Sequence, residues 1–196
     1  MWRIYCELVA RRGGDEADLS WERYGREFAG RSEQTILHAL VPADEIKSTL
    51  EWRVARYLEL ASDGSTISLH AHEAVVSAAR LVPVVVVSSA FRREIEPILR
   101  GAGLDGHVRF VVGAEDVERA KPDPAPYLLA LDRLGLADRP GAAVAIEDTE
   151  AGVASARAAG LHVVAVDGTM PRERLAAAHE HAARVDLALV ERLLRG

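Results

Sequence analysis

The spacing of apolar residues changes near Ser62 and divides the chain into two parts. Up to about residue 60, apolar residues recur three or four positions apart, as in Leu50, Val54 and Leu58. This is the period of an amphipathic helix, and it predicts three or four helices. Glycine and proline interrupt the pattern at residues 12–15 and 41–44. Asp44, at the second interruption, is the predicted N-cap of the helix that follows.

After about residue 63, short apolar runs alternate with amphipathic stretches. The predicted strands are 82–87, 108–112, 142–146 and 161–166, and the predicted helices are 73–80, 92–99, 125–134 and 151–159. The alanine-rich stretch around His179 and His181 is also predicted to be helical and solvated. Apolar strands separated by helices are typical of a parallel sheet covered on both faces. The sequence therefore predicts a doubly wound α/β unit preceded by a small helical unit.

Composition narrows the function classes. With 196 residues, of which 49% are hydrophobic and 28% charged, the chain is globular and neither disordered nor fibrous. A net charge of -6 disfavours a nucleic-acid partner. The longest apolar run, 81–87, is far short of the ~20 residues of a membrane span, and residues 1–12 lack the apolar core of a signal peptide. The single cysteine, Cys6, excludes an intramolecular disulfide and favours a cytoplasmic location.

Hydroxyl groups follow the first predicted strand, at Ser88 and Ser89. Ligands of doubly wound sheets bind beyond the carboxyl ends of the strands, so these positions are candidates for a binding site. A hydroxyl beside the free N–H groups of a helix N-terminus is a natural anion cradle. The alternative is that one of the serines only caps the next helix.

A lysine and a pair of carboxylates follow two further strands. In Ala-Lys-Pro-Asp-Pro, the prolines fix the backbone around Lys121, whose compact charge suits a phosphate; the alternative is a solvated loop lysine. Glu147 and Asp148 end a buried strand and suit Mg²⁺, although Asp148 or Thr149 could instead cap the next helix. Independent caps are not expected to place a hydroxyl, a lysine and two carboxylates in three strand-end loops of one sheet.

These segments, in this order, resemble the haloacid dehalogenase-like hydrolase superfamily. The branch is the one with a small helical cap, which includes phosphoglycolate phosphatases and β-phosphoglucomutases. Ser88 falls at the family's second motif, Lys121 in Lys-Pro-Asp-Pro at the third, and Glu147-Asp148 followed by Gly152 at the fourth. The resemblance covers nearly the whole chain and implies a helical cap over residues 1–65 and an α/β core over residues 66–196.

The resemblance also implies roles for these residues. Ser88, Ser89 and Lys121 would bind the transferring phosphoryl group, with Ser88 and Lys121 taking part in catalysis. Asp148 would ligate a Mg²⁺ cofactor, and Glu147 would support the metal site. Phosphoryl transfer depends on clamping and neutralising the phosphoryl oxygens, which agrees with these residue types. The implied substrate is a small phosphorylated metabolite; the oligomeric state is left open.

One family motif is absent. The family's nucleophile is an aspartate in an Asp-x-Asp-Gly motif at the end of the first strand, and the 196 residues contain no such motif. Either the chain is N-terminally shortened, or it is a variant that has lost the nucleophile. We favour the first, because losing a central strand leaves two unpaired strand edges and an apolar slot. The chain as written is then expected to be inactive or nearly so, and the upstream reading frame distinguishes the two explanations.

The predicted function is Mg²⁺-dependent phosphate ester hydrolysis through an aspartyl-phosphate. One alternative is a non-catalytic phosphate-binding or interaction module on the same scaffold. Another is a sugar-phosphate mutase. Gly30 and Arg31 resemble the substrate-facing loop of the cap, and Glu33 stands where mutases of this branch carry an arginine, which favours hydrolysis unless Arg31 takes that place.

Overall fold

The computed structural model describes residues 1–28 and 33–195, apart from the side chains of residues 16 and 17. Two compact units divide the chain, Met1–Ala61 and Ser62–Gly196. The division falls where the spacing of apolar residues changes in the sequence. Each unit has its own buried apolar residues, such as Leu37 in the first and Val163 in the second.

The first unit is helical. Its α-helices are α1 (Trp2–Arg11), α2 (Trp21–Glu27), α3 (Glu33–Leu40) and α4 (Ile46–Ala61). The prediction of three or four helices is confirmed for the described residues. The N-cap predicted at Asp44 is wrong, because Asp44 lies inside a short 3-10 turn, Ala43–Glu45, that begins after Pro42 and runs directly into α4.

The second unit alternates helices and parallel strands. Its helices are α5 (Leu69–Ala79), α6 (Arg92–Gly101), α7 (Ala125–Arg133), α8 (Glu150–Ala158) and α9 (Leu187–Arg195), and its strands are β1 (Val85–Val87), β2 (Phe110–Val112), β3 (Val144–Glu147), β4 (His162–Val166) and β5 (Glu180–Ala182). Every strand pair is parallel. The predicted α/β class with a parallel sheet is thus confirmed. The first predicted strand is shorter than expected, since Pro83 has no N–H to donate to a neighbour.

The stretch around His179 and His181 is a strand, so the helix predicted there is wrong. The backbone N–H of His179 donates to the carbonyl of Val163 at 2.9 Å, and that of Asp167 donates to Ala182 at 3.0 Å. These bonds extend the pairing of β5 with β4 at both ends. Pairing with a buried neighbour outweighs the helix propensity of the alanines.

The strands form two sheets, β1-β2 and β3-β4-β5. Among the described residues, β1 is paired only with β2, and β3 only with β4. Val144 and Ile146 of β3 are exposed, at 42% and 38%, although their residue type is that of a buried strand. Strands β1 and β3 therefore each have one edge without a hydrogen-bonded strand among the described residues. Nowhere in residues 1–28 and 33–195 is there a helix long and apolar enough to cross a membrane.

Candidate functional site

Lys121 connects the carboxyl ends of the two sheets. Its Nζ donates a hydrogen bond to the carbonyl oxygen of Val87, the last residue of β1, at 3.0 Å. The same Nζ forms an ion pair with Oε1 of Glu147, the last residue of β3. Both side chains are only 7% exposed. Lys121 is therefore not a solvated loop residue, because its charge is buried and directed at two strand ends.

The loop after Lys121 is held by polar contacts with its own backbone and with α8. The Lys121–Pro122 peptide bond is cis. Oδ1 of Asp123 accepts the backbone N–H of Ala125 at 2.9 Å, and the hydroxyl of Ser155 in α8 donates to the carbonyl of Asp123 at 2.6 Å. Ser155 is fully buried, so a side chain of the core anchors the loop.

Tyr127, in the first turn of α7, belongs to the same cluster. Its hydroxyl donates to Oε1 of Glu147, the oxygen that Lys121 also contacts. Nζ of Lys121 lies 5.0 Å from the centre of the Tyr127 ring, within the range of a cation–π contact. Burial and the charge of Glu147 raise the pKa of Tyr127, which keeps the hydroxyl protonated as a donor. The sequence motifs do not include this residue; its only signal is its position three residues after Pro124, in the first turn of the helix.

Gly152 makes room for the Glu147 carboxylate. A Cβ built at position 152 would overlap all three atoms of that carboxyl group. The carboxylate thus lies against the first turn of α8, where a negative charge is favourable. The N-cap of α8 is Thr149, whose Oγ1 accepts the N–H of Gly152 at 3.1 Å. Asp148 is therefore not the N-cap of this helix.

Asp148 presents the open carboxylate of the pair. It is exposed, and its Oδ2 accepts a hydrogen bond from the hydroxyl of Thr169 at 2.6 Å. Thr169 follows Gly168, whose φ of 122° lies in the region that favours glycine. Thr169 belongs to none of the motifs recognised in the sequence. Within the described ranges, no three histidine, cysteine, aspartate or glutamate side chains are grouped so that they could hold a metal ion.

Ser88 and Ser89 lie in the loop between β1 and α6 and cap no helix. The backbone N–H of Ser88 donates to Val112 at 2.9 Å, and its Oγ accepts the N–H of Ala90 at 3.1 Å. Ser88 directly follows Val87, whose carbonyl binds Lys121, so the serine and the lysine share one end of the site. Ser89 is exposed.

The N-terminus of α6 is occupied by the protein's own carboxylates. The N–H of Phe91, its N-cap, donates to Glu94 at 3.2 Å, and that of Arg92 donates to Glu115 at 3.0 Å. The anion cradle expected from the sequence at this helix start is therefore filled by two glutamates. Any anion at Ser88 would have to use the loop itself and Lys121.

In the helical unit, Glu33 is held in an internal cluster. Nε of Arg53 lies 3.0 Å from Oε1 of Glu33, and the hydroxyl of Tyr5 donates to the same oxygen at 3.0 Å. The Arg53 side chain is 2% exposed. Gly30 and Arg31, the predicted substrate-facing residues, lie outside the described residues.

The second unit is a parallel α/β unit with a buried lysine and two carboxylates at its strand ends. A small helical unit precedes it in the chain. The protein is therefore of the α/β class with two units. A family model described as a haloacid dehalogenase-like hydrolase matches residues 6–160. The chain belongs to the haloacid dehalogenase-like hydrolases, which confirms the resemblance seen in its motifs.

The curated relatives that the chain matches include phosphatases, which indicates its branch of the family. The chain is 31% identical over 123 residues to a phosphoglycolate phosphatase of Pectobacterium atrosepticum, covering 62% of this chain and 52% of that protein. It is 42% identical over 94 residues to hexitol phosphatase A of Escherichia coli, covering 48% of this chain and 42% of that protein. It therefore spans about half the length of these curated relatives.

Among solved structures, CbbY from Rhodobacter sphaeroides in complex with phosphate has a similar fold, with a TM-score of 0.76. The alignment covers 92% of this chain and 85% of that one at 24% identity. This likeness shows the fold and agrees with the α/β architecture described above.

Proposed function

We propose that this protein is a Mg²⁺-dependent phosphatase acting on a small phosphorylated metabolite. The observation that carries the proposal is the position of the Lys121 ammonium, which contacts the last residues of both β1 and β3. Ser88 adjoins one of these strand ends and Asp148 the other. A phosphoryl group between them would be neutralised by Lys121 and would accept hydrogen bonds from Ser88 and Ser89, as phosphoryl transfer requires.

Asp148 is the residue we assign to the metal ion. Mg²⁺ commonly binds through one or two protein carboxylates, with water and substrate phosphate completing its coordination, so a single open carboxylate fits. When bound, the ion would neutralise phosphoryl oxygens. Glu147 supports the site differently, since its Oε1 is already engaged by Lys121 and Tyr127. We assign it to holding Lys121 rather than to direct coordination.

We assign the helical unit, residues 1–65 in the sequence-based division, to the cap, with Gly30 and Arg31 facing the substrate. The relatives named phosphoglycolate phosphatase and hexitol phosphatase A support a small phosphorylated metabolite as the substrate. Cys6 is buried and is the single cysteine of the 196 residues, so they contain no intramolecular disulfide, which supports the reducing environment of the cytoplasm. The mutase alternative has less support, because Glu33 occupies the relevant position and its carboxylate is bound by Arg53 and Tyr5.

The second candidate is a phosphate-binding module without turnover. Among the described residues, Glu147 is the only carboxylate paired with Lys121, and its Oε1 also accepts the Tyr127 hydroxyl. A carboxylate so engaged is a poor nucleophile. This observation favours binding without hydrolysis in the 196-residue chain.

Two measurements on the purified chain separate these candidates. Calorimetry with inorganic phosphate, with and without Mg²⁺, tests binding, and phosphate release from phosphoglycolate and hexitol phosphates tests turnover. Binding with turnover supports the phosphatase, and binding without turnover supports the module. Wild-type protein that binds no phosphate with Mg²⁺ present overturns both. Asp148→Asn is the informative variant, because it keeps the exposed side chain's size while removing the charge that holds Mg²⁺; it should abolish the effect of Mg²⁺ on binding.

A further inference from the structure

The Glu147 carboxylate is enclosed on several sides, and Tyr127 is the part of this enclosure that the proposed function leaves unused. Oε1 of Glu147 receives two donors, the Lys121 ammonium from the loop before α7 and the Tyr127 hydroxyl from α7 itself. Gly152 packs against the carboxyl group from α8. Tyr127 and Glu147 are only 6% and 7% exposed, so water does not replace these contacts freely.

The donors differ in how firmly they are anchored. Lysine has a flexible four-carbon stem, and the position of its ammonium is set by the groups that accept its hydrogen bonds. For Lys121 these are the Val87 carbonyl and Glu147. A tyrosine side chain has only two rotatable angles. The side chain of Tyr127 is buried, and its backbone is part of helix α7. Tyr127 is therefore the rigid member of the cluster, and its hydroxyl determines where Oε1 lies.

We propose that Tyr127 is a positioning residue for Lys121. Its hydroxyl fixes Oε1 of Glu147, and Glu147 in turn holds the Lys121 ammonium at the ends of β1 and β3. Tyr127 itself contacts neither the phosphoryl group nor the metal ion. The expected effect on phosphate binding rests on the proposed function. The claim that Tyr127 positions the Lys121 ammonium does not depend on it.

The composition of the chain makes the ammonium directly observable. There are 22 arginines but only two lysines, Lys47 and Lys121. Lys47 lies exposed in α4, and Lys121 is buried in an ion pair. Ammonium protons exposed to water exchange rapidly, while those in a buried ion pair exchange more slowly. A ¹H–¹⁵N spectrum of the lysine ammonium groups at low temperature should therefore contain one protected signal, that of Lys121.

The test compares Tyr127→Phe with Tyr5→Phe. The first variant keeps the ring, and so the contact with the Lys121 charge, but removes the hydroxyl. The second removes a matched bond in the other unit, where the buried Tyr5 also donates to Oε1 of a glutamate, Glu33. For each protein we would record the ammonium spectrum, the thermal midpoint and the affinity for inorganic phosphate with Mg²⁺ present.

We expect Tyr127→Phe to displace the Lys121 signal or broaden it beyond detection, and to weaken phosphate binding by about tenfold or more, as loss of a supporting partner does in metal sites. Tyr5→Phe should leave both unchanged. An unchanged Lys121 signal in Tyr127→Phe overturns the proposal. If wild-type protein binds no phosphate, the proposed function fails while the ammonium signal still decides the role of Tyr127.

A second substitution covers the case in which Tyr127→Phe is unfolded. Site-specific 3-fluorotyrosine at position 127 retains the shape and the hydroxyl but makes that hydroxyl a stronger donor. It should shift the Lys121 signal, whereas 3-fluorotyrosine at position 5 should not. Identical Lys121 signals in the two fluorinated proteins would also overturn the proposal.

Discussion

Gly152 lies so close to Glu147 that a Cβ at position 152 would overlap the glutamate's carboxyl group. Glycine within a helix costs roughly 0.5–1 kcal/mol relative to alanine, and Gly152 is the third residue of α8. The cost is tolerated here because the space that a methyl group would fill is occupied by a buried carboxylate. The two residues come from the end of a strand and the start of the next helix, so the close approach fixes how β3 leads into α8.

Gly152→Ala should therefore destabilise the protein in spite of the gain in helix propensity. Overpacking costs typically about 1–3 kcal/mol, against a propensity gain of about 1 kcal/mol or less. Urea unfolding gives the free energy of unfolding directly. Gly141→Ala is the control, since no atom lies within 4 Å of a Cβ built there. A Gly152→Ala protein at least as stable as the wild type would contradict the geometry described here.

Lys121→Met should destabilise the protein strongly. The change leaves the Glu147 carboxylate buried without its cation, and breaking a buried ion pair in this way costs about 3–5 kcal/mol. Arg195→Gln is the matched control, because it breaks an exposed pair with Glu191, whose contribution should be below about 1 kcal/mol. Both values come from urea titrations at neutral pH. Equal losses in the two variants would mean that the Lys121 pair is hydrated in solution.

Thr169→Val should weaken Mg²⁺ binding with little effect on stability. The valine keeps the shape of the side chain but removes the hydroxyl that donates to Oδ2 of Asp148. Loss of such a supporting partner typically lowers metal affinity by about 10–100-fold. Calorimetric titration with Mg²⁺ measures the change, and Thr66→Val, at another exposed threonine, serves as the control. An unaltered Mg²⁺ affinity in Thr169→Val would remove Asp148 from the proposed metal site.

Acid should destabilise the second unit through His179. Burial, followed by the charge of Arg157, lowers the pKa of His179 in the folded protein below its ordinary 6.5. Below pH 6.5 the unfolded chain therefore binds a proton more readily than the folded one, and the free energy of unfolding falls as the pH falls. Protonation would also conflict with a hydrogen bond, because Nδ1 of His179 accepts the backbone N–H of Val163 at 2.9 Å.

His179→Asn tests this dependence, because the Oδ1 of asparagine accepts the same hydrogen bond without titrating. Unfolding curves between pH 7 and 5 should show a smaller loss of stability in His179→Asn than in the wild type. Thr66→Val, at an exposed residue that does not titrate, should retain the wild-type slope. Measurements stop at pH 5 because Arg192 and His162 lower the pKa of Glu180 below 4.5, which adds a separate loss of stability at more acidic pH. Parallel curves for all three proteins would exclude His179 as the source.

The sequence predicted the fold well where the apolar pattern was continuous. After His162, the strand His162–Val166 consists of β-branched and small apolar residues. Helices such as Ala125–Arg133 begin after a proline, which is a strong start signal. Pattern alone failed for Glu180–Ala182, because an alanine-rich segment becomes a strand only through its pairing with β4. Such pairing depends on tertiary contacts that no local window contains.

The candidate site could be predicted only in part. Lys121, Glu147 and Asp148 were recognisable because charged residues at the ends of apolar runs have few structural explanations. Tyr127 and Thr169 were not, since an isolated tyrosine in a helix and a threonine in a turn have many. Their importance comes from the oxygens they contact, 20 and 21 residues away along the chain.

The division of the strands into two sheets also determines which backbone groups are shielded from solvent. In the part of the chain that the structure describes, β4 is the only strand with hydrogen-bonded neighbours on both sides, β3 and β5. Val163, Val164 and Ala165 at its centre are fully buried. Their amide protons should exchange with deuterium only when the whole second unit opens, whereas those of β1 should exchange through smaller local fluctuations. The unit is therefore expected to unfold from its β1-β2 side, leaving β4 as the last ordered strand.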